Sequence, residues 1–343
     1  MQNTHNNKKC GLANLGNTCF INSILQVLSA IPELNTLLND KSYRKSLNNN
    51  INSLLLIEWD SLREDMLKNN TGIISPNRFC AVMQHIAQIK NNNIFTGHDQ
   101  NDVSEFLLFL IDSFHLALKQ NVIITISGTS QTEKDKLAIK CYERMKQLYE
   151  TDYSNILNIF HGILVSQKFN ENNELINSIL DPFWIINLSL PPLIVNKNPS
   201  LEECFDIYTS TETLDGDNMV FDETIGQKVV VKIKILFWSL PKILIIDLKR
   251  YTNRNMKLQQ LLNFPINNLN LSKYVVGYDA EKYVYDLFGI CNHSGGTSGG
   301  HYTSFVREND QWYHCNDTQI TTIDDVTQLI TPKAYCLFYR MKQ

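Results

Sequence analysis

The apolar residues of this chain change their period part-way along, and that change limits the fold more than any other feature. Early in the chain Ile21, Ile24, Leu25 and Leu28 recur at helical spacing and stop before Pro32. Val103, Phe106, Leu107, Leu110, Ile111 and Phe114 form a second stripe of the same kind. Side chains three and four apart share one helix face, so both stretches predict helices buried on one side. The charged segment from Glu133 to Glu150 predicts a further helix, inserted rather than central. Later the pattern turns to β-branched and aromatic runs bounded by Gly, Pro or Asn, over 229–237, 243–251, 285–292, 301–307, 312–315 and 335–340. These predict strands of a mostly antiparallel sheet. Helices first and strands later predict an α+β chain of two lobes, and the cleft between them is the natural place for a site.

Composition excludes several function classes. At 343 residues and 43% hydrophobic the chain can bury a large core, and its net charge of −4 argues against a nucleic-acid binder. No run of about 18 apolar residues occurs, so no membrane span is expected. The polar start Met1-Gln2-Asn3-Thr4-His5 lacks the apolar stretch of a signal peptide. The eight cysteines are scattered without a CxxC pair, which predicts reduced thiols and an intracellular protein, cytoplasmic or nuclear. Clusters such as Asn48-Asn49-Asn50 predict surface loops.

One cysteine stands apart. In Gly11-Leu12-Ala13-Asn14-Leu15-Gly16-Asn17-Thr18-Cys19-Phe20-Ile21-Asn22-Ser23, the Gly16-Asn17 pair signals a turn and Thr18 is placed to cap the following helix. Cys19 then sits in the first helical turn, where unpaired N–H groups and the helix dipole favour a thiolate and can hold an oxyanion. Asn14 lies where its amide can fold back as a further oxyanion donor. Position alone leaves a buried structural cysteine equally open. The string GLANLGNTCFINSILQVL closely resembles the cysteine box of the ubiquitin-specific proteases, the papain-like family of deubiquitinases.

A thiolate nucleophile needs a base brought from far along the chain. His301 follows the glycine-rich stretch 295–300 and opens the strand 301–307, a junction that lets the ring face a cleft. His85, His115 and His161 lie within apolar runs and read as core-edge or surface residues. Fifteen residues past His301, Asn316 or Asp317 can return to it across a hairpin and fix its tautomer, although Asn-Asp is also a common turn pair. GGHYTSFVR followed by WYHCNDTQIT resembles the histidine box of the same family. That resemblance implies Asn316 as the third member of a triad with Cys19 and His301, supported by Asp317. His314 and His293 do not occupy the matching position.

Gln100-Asn101-Asp102-Val103-Ser104-Glu105-Phe106-Leu107 resembles a further box of the family, with Asn101 in place of its second glutamine. Asp102 and Glu105 also have capping-box spacing. The resemblance implies that Asp102 and Glu105 meet arginines of the ubiquitin tail, and that Gly295, Gly296, Gly299 and Gly300 wall a channel for its terminal glycines. The boxes run from Gly11 to Arg340. They imply an α+β, papain-like cysteine protease with a helical thumb, an antiparallel-sheet palm and β fingers, the active-site cleft lying between thumb and palm. A short N-terminal extension over 1–10 would precede one catalytic domain over 11–343, with the thumb about 11–155 and the fingers and palm about 156–343.

Many members carry two CxxC pairs in the fingers for a structural zinc. The corresponding stretches here, 166–179 and 219–227, contain no cysteine. No metal or other cofactor is therefore expected, and 183–190 with 229–237 should hold the fingers by packing. The function implied is hydrolysis of the isopeptide bond after the last glycine of ubiquitin through a Cys19 thioester, with ubiquitin and ubiquitinated proteins as partners and no nucleic acid or membrane. Two alternatives share these motifs: a protease for a ubiquitin-like modifier, and a non-catalytic ubiquitin binder.

Overall fold

In the computed structural model, residues 9–342 are described apart from 70–71, 98, 193–196, 253 and 297–298. The helices are α1 (Cys19–Ser29), α2 (Pro32–Asn39), α3 (Asn52–Lys68), α4 (Asn77–Ile89), α5 (Val103–Leu118), α6 (Glu133–Tyr149), α7 (Leu157–Phe160) and α8 (Leu201–Tyr208). The first seven precede the two larger sheets in sequence, as the change of period predicts; the short parallel pair Gly11–Leu12 and Ile73–Ile74 lies among them. No helix among the described residues is long and apolar enough to cross a membrane.

The main sheet has eight strands. Its order runs Gln319–Ile323, Gln311–Asn316, Gly299–Glu308, Val284–Gly296, Ala334–Met341, Ile243–Lys249 and Ile186–Ser189, with Leu269–Asn270 added to the Val284–Gly296 strand. Within it the Ile243–Lys249 and Ile186–Ser189 pair runs parallel and the other pairs run antiparallel. A second sheet of four strands takes the order Leu175–Phe183, Gly162–Phe169, Val231–Ser239 and Glu212–Leu214.

Two cores follow from the alternation of side chains across the main sheet. One face, with Ile243, Ile245, Cys291, Val306, Cys336 and Phe338, packs on α1, α3 and α5. The other face, with Leu244, Ile246, Leu248, Leu287, Ile290 and Leu337, packs on Leu201, Cys204 and Phe205 of α8. All residues of α1 are buried, which is why the polar Asn22, Ser23 and Gln26 on it each bond to backbone carbonyls. In the four-stranded sheet Val165, Val231 and Phe237 are buried while Leu175, Ile176 and Ile179 stay exposed. Among the described residues no group of three or more His, Cys, Asp or Glu is placed to hold a metal ion.

Polar side chains fix several joints. On α3, Asp60 and Arg63 are both buried and paired at 2.8 Å, with Tyr43 Oη donating to Asp60 at 2.6 Å. Asn48 and Asn50 donate to the Leu116 carbonyl at 3.1 and 2.9 Å and so terminate α5. The guanidinium of Arg250 is buried and donates to three backbone carbonyls, Ala334 at 2.5 Å, Leu258 at 3.1 Å and Gln260 at 2.9 Å. It thereby ties the end of the Ile243–Lys249 strand to the segment that crosses over it. Arg250→Met should leave these carbonyls without a donor and lower the unfolding free energy by about 3 kcal/mol. Urea denaturation checks this; a loss below about 1 kcal/mol would contradict the role.

Candidate active site

The loop 13–18 is folded by its own side chains. Asn14 Oδ1 accepts from the N–H groups of Gly16 and Thr18, both at 3.1 Å, and from Thr18 Oγ1 at 3.3 Å. Gly16 and Asn17 both take positive φ, +97° and +57°, which is the turn their sequence signals. Thr18 does occupy the N-cap of α1, but its hydroxyl does not cap the helix. It instead accepts from the Leu15 N–H at 2.8 Å, closing the loop rather than the helix end.

Cys19 is the first residue of α1 and is 1% exposed. Burial pushes its thiol pKa up. The Tyr302 N–H beside the sulfur acts in the opposite direction, as do the Phe20 and Cys19 N–H groups at the helix start, while the Asp317 carboxylate adds to the rise. The helix terminus expected from the sequence to favour a thiolate is present, and desolvation outweighs it.

His301 and Asn316 meet. His301 Nε2 lies 2.7 Å from Asn316 Oδ1. The register that pairs Ser304 with Cys315 extends to place Asn316 beside Thr303, on the same face as His301. With Nε2 as the donor to this oxygen, the tautomer leaves Nδ1 as the basic nitrogen. The next peptide of that strand, the Tyr302 N–H, is the one beside the Cys19 sulfur. Asp317 does not turn toward His301. In a left-handed turn (φ +49°), it accepts from Asn14 Nδ2 at 2.9 Å and Asn22 Nδ2 at 2.8 Å, and its carbonyl accepts from the Leu12 N–H at 2.9 Å. It therefore joins the hairpin after Asn316 to the cysteine loop, and leaves one Asn14 N–H free to face the cleft.

The other sequence candidates divide by role. Asp102 caps α5, accepting from Ser104 N–H at 2.7 Å and Glu105 N–H at 3.3 Å, while its second oxygen accepts from Tyr335 Oη at 2.5 Å. Glu105 is exposed, with its carboxyl pushed up by partial burial and by Asp102. Gly295 pairs with Gly300 and Gly296 with Gly299 at the hairpin end; Thr297 and Ser298 between them lie outside the described residues. A Cβ on Gly295 would lie 2.5 Å from the Gly299 carbonyl oxygen, at a φ of +113°. His293 is buried against Tyr302, its ring 4.5 Å away, and Lys257 Nζ lies 3.0 Å from its Nδ1. His314 stacks edge-on with Phe305. Neither is placed as a base. Two contributors escaped the sequence reading, Asn22 through Asp317 and Gln100 through its contact with Gly300.

A family model described as ubiquitin carboxyl-terminal hydrolase matches residues 10–339. The chain belongs to this family. It is 31% identical to human ubiquitin carboxyl-terminal hydrolase 2 over 342 residues, covering 96% of this chain and 55% of that protein. Human ubiquitin carboxyl-terminal hydrolase 21 is 27% identical over 354 residues, covering 97% of this chain and 61% of that protein. The chain thus spans little more than half the length of these relatives. Among solved structures, the SAGA Ubp8/Sgf11/Sus1/Sgf73 module bound to ubiquitin aldehyde is similar with a TM-score of 0.71 at 22% identity, covering 97% of this chain and 70% of that one. A second structure of the module, bound to monoubiquitin, has a TM-score of 0.72 at 22% identity, covering 97% of this chain and 69% of that one. The likeness fixes the fold as the α+β, papain-like arrangement of a helical thumb against a sheet palm with β fingers.

The electrostatics of this member give a pH prediction. Because burial raises the Cys19 thiol above its ordinary pKa, its iodoacetamide alkylation should still be accelerating above about pH 8.5, where an exposed thiol levels off. Peptide mapping across pH 6–10 reads this, and a plateau below pH 7 would contradict it.

Proposed function

We propose that this chain is a thiol-dependent deubiquitinase, with Cys19 as nucleophile, His301 as base and Asn316 as the residue that orients the base. The observation that carries this is the His301–Asn316 pair at 2.7 Å on the strand that packs against α1, whose first residue is Cys19. Family membership over residues 10–339 supports the substrate class, and supports reading 11–343 as one catalytic domain with its thumb about 11–155 and its fingers and palm about 156–343. The eight cysteines are all unpaired and buried, which supports a reducing compartment, cytoplasm or nucleus.

The chemistry follows from the charges. His301 takes the Cys19 proton on Nδ1 while Asn316 holds Nε2–H, and the thiolate attacks the carbonyl carbon of the last ubiquitin glycine. The carbon–nitrogen bond breaks as His301 returns the proton to the lysine amine, leaving a thioester on Cys19. Water, deprotonated by His301, then attacks the thioester and releases ubiquitin with a free carboxylate. The helix-start N–H of Cys19 and the free N–H of Asn14 would hold the oxyanion. Asp102 and Glu105 flank the approach, Glu105 with the freer carboxylate, and suit arginines of the incoming tail. The hairpin end at Gly295, Gly296, Gly299 and Gly300 walls the channel for terminal glycines.

Hydrolysis of ubiquitin carrying a C-terminal aminocoumarin tests these roles together. Cys19→Ala should abolish turnover. Asn14→Ala should lower kcat at least about tenfold, the scale of one oxyanion donor, and Glu105→Ala should raise KM about tenfold with kcat within about twofold. Wild-type turnover by folded Asn14→Ala would remove that residue from the oxyanion site, and unchanged KM for Glu105→Ala would remove it from the tail channel.

A further inference from the structure

The strand that carries His301 is missing a neighbour where it matters. On one side Gly299–Glu308 pairs with Val284–Gly296 along its length. On the other side its pairing with Gln311–Asn316 begins only at Ser304. Among the described residues, the edge from Gly299 to Tyr302 therefore faces the thumb without a strand partner. Along a strand the N–H and C=O of residues two apart point the same way, so Gly300 and Tyr302 share that edge.

Thumb groups meet this edge at both positions. At Tyr302 the N–H lies beside the Cys19 sulfur and favours its thiolate. At Gly300 it is the carboxamide of Gln100, which donates from Nε2 to the Gly300 carbonyl and accepts the Gly300 N–H on Oε1 at 2.5 Å. A primary amide offers one donor and one acceptor side by side, the same pair that a neighbouring strand would present. Beneath, Gly300 has no room to shift. A Cβ there would lie 2.2 Å from His293 Nε2 and 2.6 Å from the Ser294 carbonyl oxygen. Gln100 from the thumb and His293 from the palm thus grip the residue directly before the base.

We propose that Gln100 is a positioning residue for His301, acting as a one-residue surrogate strand that holds the open edge of the histidine strand against Cys19. It acts through the Gly300 backbone and not on the reacting atoms. The inference rests on the catalytic reading of Cys19 and His301, and adds the part that sets their spacing. Losing the amide leaves the Gly300 N–H and C=O without their partner and frees the strand to move off the thumb. That movement withdraws the Tyr302 N–H from the sulfur, so the thiolate loses a stabilising donor and the base loses its placement together.

The test separates this from a direct contact with substrate. Gln100→Met keeps the length and bulk of the side chain and removes its polar atoms, while Gln100→Glu keeps an acceptor for the Gly300 N–H and loses the donor. Cys19 alkylation by iodoacetamide needs no ubiquitin and is read by peptide mapping from pH 6 to 10. In Gln100→Met the rate at pH 7.5 should fall about fivefold, the factor that one hydrogen bond of about 1 kcal/mol gives, and the midpoint of the profile should move to higher pH. Gln100→Glu should fall between Gln100→Met and wild type, and it carries the test if Gln100→Met does not fold. With ubiquitin aminocoumarin, kcat should fall and KM should stay within about twofold. Unchanged alkylation with a raised KM alone would overturn the proposal, because Gln100 would then touch only the substrate. Faster alkylation would overturn it as well, because the contact would then merely shield the sulfur. The predicted alkylation shift in a protein that turns over no ubiquitin would leave the positioning role standing and defeat the deubiquitinase reading.

Discussion

The carboxylate of Asp102 joins the two halves of this protein. It caps α5 through the Ser104 and Glu105 N–H groups, and at the same time accepts the hydroxyl of Tyr335 from the palm at 2.5 Å. Neighbouring positions repeat the link. Gln100 holds Gly300, and Ser104 Oγ donates to Asp247 at 2.6 Å. Asp247 sits deep enough in this seam that burial pushes its carboxyl up to about 7. Gln100, Asp102 and Ser104 at one helix start therefore carry the docking of thumb on palm, and that docking is what brings a cysteine near the N-terminus to a histidine near the C-terminus. A helix N-terminus suits this task, because its first N–H groups need acceptors and can recruit a carboxylate that has a second oxygen to share.

The setting of Cys19 shows a competition with a defined winner in the free protein. Helix-start N–H groups and the Tyr302 N–H draw the sulfur toward the thiolate; burial and the Asp317 carboxylate act against it, and burial dominates. In the proposed mechanism a thiol held in that state depends on His301 for its proton transfer, so the accuracy of the His301 strand matters more than it would for a free thiolate. Asp317 reinforces the same economy of parts. By bonding both Asn14 and Asn22 it fixes the cysteine loop to the hairpin that carries Asn316, so the proposed oxyanion donor and the proposed orienter of the base are set by adjacent residues.

How much of this was legible in the sequence follows the distance over which each interaction acts. The α1 and α5 stripes, the loop before Cys19 and the glycine stretch before His301 are local signals, and the structure has each of them in place. The bounds of the strands moved by a few residues, as with 243–251, which ends at Lys249 because Arg250 turns inward to the three carbonyls. Helix α3 was hidden because its buried face contains the Asp60–Arg63 pair, so its pattern does not read as an apolar stripe. Thr18 has the right type and place for a helix cap, yet its hydroxyl is drawn into the loop by the Leu15 N–H. The asparagine cluster at 48–50 reads as plain loop until the unpaired carbonyls of α5 are seen to need it. The contact of Gln100 with Gly300 spans two hundred residues, and although Gln100 opens a motif visible in the sequence, nothing local shows that its amide pairs with a bare strand edge far along the chain.

The most direct test of the account is the intact mass of the purified protein after incubation with ubiquitin bearing an electrophilic C-terminal group, beside Cys19→Ala and His301→Ala. The account predicts a single ubiquitin adduct on the wild type, mapped to Cys19, slower formation on His301→Ala and none on Cys19→Ala. No adduct on folded wild-type protein, or an adduct that persists in Cys19→Ala, would contradict it.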